Sequence, residues 1–498
     1  MAVSFVTVLT ITYFALVLAM GAFAFHKVKL LVLYFRHRDR IKTTANGATP
    51  GATAPLVCVQ CPVYNEPLVM EALLDSVAGL RWPADRLEIQ ILDDSSDETT
   101  AITAAWLERH PAVAGRFRHV RRAERSGYKA GALAHGMALT GAEFFAIFDA
   151  DFRPAPDFLE SLMPSFAEPG VGLVQARWEF ANRRASLLTR FQALFLDAHF
   201  VIEQAARHAA GLFFNFNGTA GIWRRAALEE AGGWTPDTVT EDLDVSYRAQ
   251  LRGWRFVYHG DYGVPSELPE NISAFKSQQR RWTKGGIQVM RKQLLNILRS
   301  PVPARIKREA TWHLLVGFIH PLLIAFAVLL VPYFIYAPQS SGWLLPAQPV
   351  VLVFTLWATL GFYIAARQLR HGAWIESVYI VLAAPLILSF GLAMSVTNTV
   401  AVIEGLCQRG GEFVRTPKGG SRAVVGGLFH RLRSRSMFAV ITGIEFALGG
   451  LMLTGAFHFA LEGSVGIVVL LSFKGAGFLL LASCSLRDLW PVTASRTA

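Results

Sequence analysis

Two aspartates, Asp149 and Asp151, stand one residue apart directly after the apolar run Phe144 to Phe148. If that run is a strand, both carboxylates end at the edge of a sheet, where a hard cation could meet their oxygens. Mg²⁺ or Mn²⁺ suits such a place, since these ions take one or two carboxylates plus substrate phosphates in preference to a full protein cage. Taken alone, an Asp-x-Asp is more often a solvated strand end. Here other acidic groups recur in the same kind of place. Tyr64 and Glu66 follow the strand-like Leu56 to Val63, and Asp93 and Asp94 follow Glu88 to Leu92. Thr240-Glu241-Asp242 precedes the helical stretch Val245 to Arg252, which suits a helix first turn. Even there, Glu241 would raise the basicity of Asp242 by like-charge repulsion. Lys129, between Gly127 and Gly131, could pair with a diphosphate or with the metal carboxylates. Gln278, Arg281 and Trp282 offer an amide, a fixed positive charge and an aromatic face. The plainer reading of Arg280-Arg281-Trp282 before Lys284, Arg291 and Lys292 is a membrane-interface helix with an aromatic belt.

These groups must be held by a sheet. Residues 54–303 have the composition of a soluble α/β domain, with short apolar strands ending in polar turns. Ligands bind at those ends in doubly wound sheets. On both sides of the domain the chain is greasier. Of its 498 residues 52% are apolar and 17% charged, which argues against a purely soluble globule. Val3 to Phe25 carries no charge and is long enough to cross a bilayer. We expect a transmembrane helix over 1–26, a basic juxtamembrane linker over 27–53, and transmembrane and interface helices over 304–404. A cytosolic loop over 405–435, a transmembrane hairpin over 436–484 and a tail over 485–498 complete the chain. Lys27 to Lys42 is basic, which places the next segment in the cytoplasm and the N-terminus outside. The run 373–404 has basic flanks on both sides. It is either a broken re-entrant pair hinged near Pro385 or lies partly in the interface.

The formal charge of +11 is best explained by those membrane flanks, so no nucleic-acid partner is expected. Four cysteines are too few and scattered for a disulfide scaffold, and Cys58-x-x-Cys61 lies within a strand without a matching pair. The sequons at Asn217 and Asn271 have no role on a cytosolic face. No feature identifies a partner subunit.

The motifs occur in the order Cys61-Pro-Val-Tyr-Asn-Glu-Pro67, Leu92-Asp-Asp-Ser-Ser-Asp97, Gly127-Tyr-Lys-Ala-Gly-Ala132, Phe148-Asp-Ala-Asp151, Thr240-Glu-Asp242 and Gln278-Gln-Arg-Arg-Trp282. This succession resembles the family 2 glycosyltransferases of the cellulose synthase superfamily. Residues 54 to 290 are most similar to the cellulose synthase-like A and C branch, the glucomannan 4-beta-mannosyltransferase type. Arg81-Trp-Pro-Ala-Asp-Arg-Leu87, Gln175-Ala-Arg-Trp178, Phe216-Asn-Gly-Thr-Ala-Gly-Ile-Trp-Arg224 and Ser266-Glu-Leu-Pro269 match that branch as well.

The resemblance implies a GT-A type α/β domain joined to a helical membrane domain. It makes Asp242, with Glu241, the catalytic base that takes a proton from an acceptor hydroxyl. It places Tyr64, Glu66, Asp93, Asp94, Lys129, Asp149, Gln278 and Arg281 around a sugar nucleotide, with Asp149 and Asp151 on the metal. Trp282, Asn217 and Gly218 would meet the acceptor. Phe413-Val-Arg-Thr-Pro-Lys418 resembles the gating loop of cellulose synthases, in which Thr416 and Lys418 would close over the donor. The activity so implied is inverting, processive transfer from GDP-mannose or UDP-glucose to a growing β-linked mannan, glucomannan or glucan. The protein would be integral to a plasma, inner or Golgi-type membrane, with the catalytic domain cytosolic. The rival is a transferase that adds one or a few hexoses to a membrane lipid; Gln278 to Trp282 favours chain growth.

Overall fold

The computed structural model describes residues 5–41, 54–336, 344–372, 374–411 and 432–489. Its centre is a seven-stranded sheet of β1 (Val57–Val63), β2 (Leu87–Asp93), β3 (Phe117–Arg121), β4 (Phe144–Ile147), β5 (Val171–Phe180), β6 (Gly221–Arg224) and β7 (Arg255–Ser266), in the order β3-β2-β1-β4-β6-β5-β7. β1 is buried on both faces, as its mostly apolar sequence suits in a central parallel strand, and its one amide, Gln60, donates to Gln90 Oε1 of β2 at 3.0 Å. β3, β2, β1 and β4 run parallel, and Val63 pairs with Asp93. Tyr64, Asp94 and Asp149 therefore leave the sheet along one edge. β6 pairs antiparallel with both β4 and β5, so the sheet is mixed.

Five helices carry or support the candidate groups. α1 (Phe5–Arg36) opens the described chain. α2 (Tyr128–Ala138) starts at Gly127, which holds φ +70°, so Lys129 sits in a helix first turn and not in an open loop. α3 (Leu187–Asp197) runs directly into a π-helical turn, Ala198–Gln204. α4 (Glu241–Leu251) has Thr240 at its N-cap position, although the Thr240 hydroxyl makes no capping bond. α5 (Ile272–Arg299) carries Gln278, Arg281 and Trp282, and the Asn271 side chain accepts from Ala274 N at 2.8 Å to cap it.

Six helices among the described residues are long and apolar enough to cross a membrane. α1 does not stop at residue 26: Lys27 to Arg36 hold no proline or glycine, and Lys, Leu and Arg are good helix formers, so the basic stretch continues the same helix. His26 and Lys29 both meet Glu309 of α6 (Ala304–Leu315). After α7 (Ile319–Tyr336), α8 (Leu344–His371) ends on the catalytic domain, where Arg370 Nη2 donates to Glu179 at 2.5 Å and Arg183, Arg367 and Arg370 surround the buried Asp197.

The run with two basic flanks is broken in two, at Ala383, next to Pro385. α9 (Trp374–Leu382) has nine residues, too few to cross by itself, and α10 (Ala384–Cys407) returns to α5, where Glu404 pairs with Arg280. α8 and α10 thus both end against the catalytic domain or α5. α11 (Leu432–Leu461) and α12 (Val465–Leu489) form a closely packed pair. Lys276 of α5 joins them through Glu445, at 2.7 and 2.8 Å, and Ser485, at 2.7 Å.

Candidate active site

The strand ends, the start of α4 and the middle of α5 enclose one cleft of about 1180 Å³, counted out to its open mouth. Tyr64, Glu66, Asp94, Lys129, Asp149, Asp151, Asn217, Gly218, Glu241, Asp242, Gln278, Arg281 and Trp282 all line it. These groups come from stretches more than 200 residues apart, yet the fold collects them in one place.

The edge beyond β1 is shaped by Asn65, whose φ of +56° is tolerated by a short polar side chain. Its amide accepts from Ser96 N at 2.9 Å, which joins the turns after β1 and β2 and aims Tyr64 and Glu66 into the cleft. Asp94 is held by Arg122, with Nε to Oδ1 at 3.0 Å and Nη2 to Oδ2 at 2.5 Å. Its neighbour Asp93 does not meet the cleft. The Asp93 carboxylate is buried and accepts from His119 Nε2 at 2.8 Å, Thr100 Oγ1 at 2.7 Å and Ser95 N at 2.8 Å. Burial alone would raise its pKa, but these donors hold it down at about 2. Alternation along a strand makes one of two adjacent aspartates face inward, so Asp93, expected beside the nucleotide, lies behind the cleft wall while Asp94 lines it.

At the cleft floor Lys129 Nζ donates to Asp149 Oδ1 at 2.5 Å and to Gly218 O at 2.8 Å. Burial would depress the Lys129 ammonium, but Asp149, Glu241 and Asp242 raise it, so it stays charged. Gly218 holds φ +82°, and a Cβ there would stand 3.0 Å from Asp242 Oδ2. Only glycine lets this loop pass so close to the carboxylate. Gly285 does the same for α5, because a Cβ would lie 2.3 Å from Thr240. The triplet 240–242 and the helix bearing Gln278, Arg281 and Trp282 can therefore touch.

Loss of solvent in the cleft, reinforced by Glu241, pushes the Asp242 carboxyl up to about 7, against the opposing pull of Lys129, the Leu243 N–H and Arg281. A carboxylate poised there is matched to accepting a proton near neutral pH. Burial lowers the Arg281 pKa, partly offset by Glu241, Asp149 and Asp242.

Asp149 and Asp151 are the groups that could hold a divalent cation. Among the described residues no three metal-ligating side chains cluster. Two carboxylates left to share a cation with incoming phosphates is the arrangement Mg²⁺ and Mn²⁺ favour. The charge of the wall fits as well: Glu66, Asp94, Asp149, Asp151, Glu241, Asp242 and Glu267 line the cleft with only Arg125, Lys129 and Arg281, and even with Arg122 and Arg153 behind them the carboxylates are in excess. An anionic ligand needs extra positive charge to enter such a site.

Four wall residues had no role assigned from sequence. Arg125 lies over the Tyr64 ring, 3.4 Å from its centroid. Trp178 stands 6.3 Å from Trp282, at an interplanar angle of 55°, beside Phe152 at 5.2 Å. Glu267 faces them from the end of β7. Trp178 and Glu267 lie in stretches whose family match was visible, and Arg125 stands two residues before Gly127, so proximity to motifs was the available signal. Thr416 and Lys418 lie outside the described residues. Cys58 and Cys61 are buried in β1 and unbridged.

A family profile described as "Glycosyl transferase family group 2" matches residues 144–367. Glucomannan 4-beta-mannosyltransferase 2 of Arabidopsis thaliana is 46% identical over 251 residues, 49% of this chain and 47% of that protein. Probable glucomannan 4-beta-mannosyltransferase 3 of Oryza sativa subsp. japonica is 38% identical over 386 residues, 74% of this chain and 66% of that one. Among solved structures, a mannosyltransferase from Pyrobaculum calidifontis in complex with GDP-Man and Mn²⁺ superposes with TM-score 0.50 at 22% identity, covering 79% of this chain and 98% of that one. It supports the GT-A-like fold. The chain carries a family 2 glycosyltransferase domain, and its curated relatives are glucomannan 4-beta-mannosyltransferases of the cellulose synthase-like A and C type. It spans between about half and two thirds of the length of these curated relatives.

Proposed function

We propose that the protein is an inverting, processive hexosyltransferase that extends a β-linked polysaccharide from a sugar nucleotide. The observation that carries this is the meeting, in one cleft, of the base candidate Asp242 with the Asp149, Asp151 and Lys129 floor and the Gln278, Arg281 and Trp282 wall. The names of the relatives favour a β-1,4-mannan or glucomannan product, and the GDP-Man bound to the solved mannosyltransferase favours GDP-mannose as donor, with UDP-glucose the second choice.

The acceptor sugar packs on Trp282, with its terminal hydroxyl toward Asp242. As that oxygen bonds to the anomeric carbon, its proton passes to Asp242 and the bond from that carbon to the diphosphate breaks. The electron pair leaves with the diphosphate, whose growing charge Lys129 and Arg281 complement. One carboxylate base serves a single displacement, so an α-linked donor yields a β-linked product. Asp149 and Asp151 would hold Mg²⁺ or Mn²⁺, which when bound supplies Lewis-acid neutralisation of the diphosphate.

Membranes containing the protein should incorporate label from GDP-mannose into polymer digestible by a β-1,4-mannanase. A product of one or two sugars that extracts into organic solvent would establish the glycolipid rival instead. The same reading puts the cleft in the cytosol. An impermeant thiol reagent applied to intact cells should then label a cysteine placed at Ser4 and spare one at Ser126. The reverse pattern would overturn that orientation.

A further inference from the structure

The wall residue Asn217 is tethered by a π-helical turn behind it. Its amide oxygen accepts from Gln204 Nε2 at 2.7 Å, and its amide nitrogen donates to His199 Nε2 at 3.1 Å. His199 Nδ1 in turn faces Glu203 Oε2 at 3.2 Å, and Arg207 Nε reaches Glu203 Oε1 at 3.3 Å. Arg207 and Gln204 are wholly buried. Burial would raise the Glu203 carboxyl, but the His199 hydrogen bond and Arg207 hold it well below its ordinary value. An ionised Glu203 accepts, so the imidazole carries its proton on Nδ1 and offers Nε2 as an acceptor. That leaves one orientation for the Asn217 amide, because reversing it would set two donors against each other at Gln204.

The backbone form is what makes the clamp possible. His199 and Gln204 are five residues apart, which in an α-helix at 3.6 residues per turn places them roughly 140° apart. In the π-turn, where residue i bonds to i+5, the two positions stack on one face. The wider π-helical turn thus brings both side chains to the same amide. The amide spends one N–H and one lone pair on the clamp. Its second N–H and second lone pair are left for the cleft, beside Gly218 and Asp242.

We propose that the π-turn residues His199 and Gln204 are positioning residues that pin the Asn217 amide so that it hydrogen-bonds vicinal hydroxyls of the acceptor sugar next to the base. This rests on the chain-extending hexosyltransferase reading and adds to it the two residues that orient the acceptor-facing amide. Paired donor and acceptor groups of an amide complement two neighbouring hydroxyls, whereas the diphosphate floor is built from charges.

The test compares acceptor and donor affinities in the full-length protein, using a manno-oligosaccharide as acceptor and GDP-mannose as donor. His199→Phe keeps a ring in place and removes the acceptor nitrogen. It should raise the oligosaccharide KM five- to tenfold, while the GDP-mannose Kd, measured by titration, stays within twofold. His199→Gln restores an acceptor atom and should come back to within twofold of the parent. Gln204→Leu, which removes the other tether, should show the same acceptor-selective rise and serves where the phenylalanine variant does not fold. Combining His199→Phe with Asn217→Ala should cost no more than Asn217→Ala alone, since without the amide the tether has nothing to position. An unchanged oligosaccharide KM, an equal loss of donor affinity, or multiplicative effects in the double variant would each overturn the proposal. Failure of the parent to elongate any oligosaccharide would overturn the chain-extending reading, and the clamp's purpose with it.

Discussion

At the floor of the cleft the groups are charges held by other charges: Lys129 on Asp149, Arg122 on Asp94, and Asp242 beside Glu241. At the far wall they are aromatic and amide groups: Trp178 on β5, Trp282 on α5, Asn217 on the loop that the π-turn clamps, and Phe152 on the turn after β4. The floor is made by turns that follow strands of the sheet and by the first turns of α2 and α4. The aromatic wall depends on helices tied to the membrane part, through Lys276 with Glu445 and Arg280 with Glu404. A floor of fixed charge suits a small anionic ligand that must bind the same way each cycle. An aromatic wall suits a neutral chain that must slide, because a ring face holds a sugar without one obligatory register.

The two ends should fail differently. Chelating divalent cations should reduce transfer below detection, with recovery on adding Mn²⁺ or Mg²⁺; persistent transfer in excess chelator would remove the cation from the floor. Asp242→Asn should lower the transfer rate by about 10² to 10⁴ while nucleotide binding stays close to normal. Turnover within a few-fold of the parent would end the assignment of the base.

The pH dependence sharpens the same point. The Asp242 carboxyl sits at about 7, and only its ionised form accepts a proton, so kcat/KM should fall tenfold per unit below about pH 7 and level off above it. Replacing Glu241 by Gln removes the like charge that raises the Asp242 pKa, so the acid limb should move to lower pH. An unmoved limb would assign it to another group.

The smallest effect is expected at the aromatic wall. Trp282→Ala should remove a stacking contact of roughly 0.5 to 1.5 kcal/mol, borrowing the aromatic-pair magnitude for a sugar face. That corresponds to about two- to thirteenfold easier release of the chain. Sizing the labelled polymer would show shorter products, with donor affinity unchanged. Unaltered length would transfer the role to Trp178.

Much of the cleft was legible because the acidic motifs follow apolar runs, and a run of buried residues followed by a turn marks a strand end whatever the rest of the chain does. Asp93 shows where this stops. Which of two adjacent aspartates turns inward depends on the donors behind it, and His119 and Thr100 come from other elements. The extension of α1 through Lys27 to Arg36 was hidden for a different reason: charge marks where a bilayer ends, not where a helix does.

Local chemistry in the sequence determined strands β1, β2 and β4, the carboxylate pair Asp149 and Asp151 at a strand end, the Thr240-Glu241-Asp242 turn and the apolar helices, because each depends on residues within a few positions of one another. Tertiary structure alone decided that Gly218 and Gly285 admit two backbones to the neighbourhood of Asp242, that Arg125 covers Tyr64, and that a π-turn brings His199 and Gln204 to one amide. Those are matters of close approach between distant segments, and the Asp242 pKa that makes the site chemically useful depends on them through the solvent they exclude.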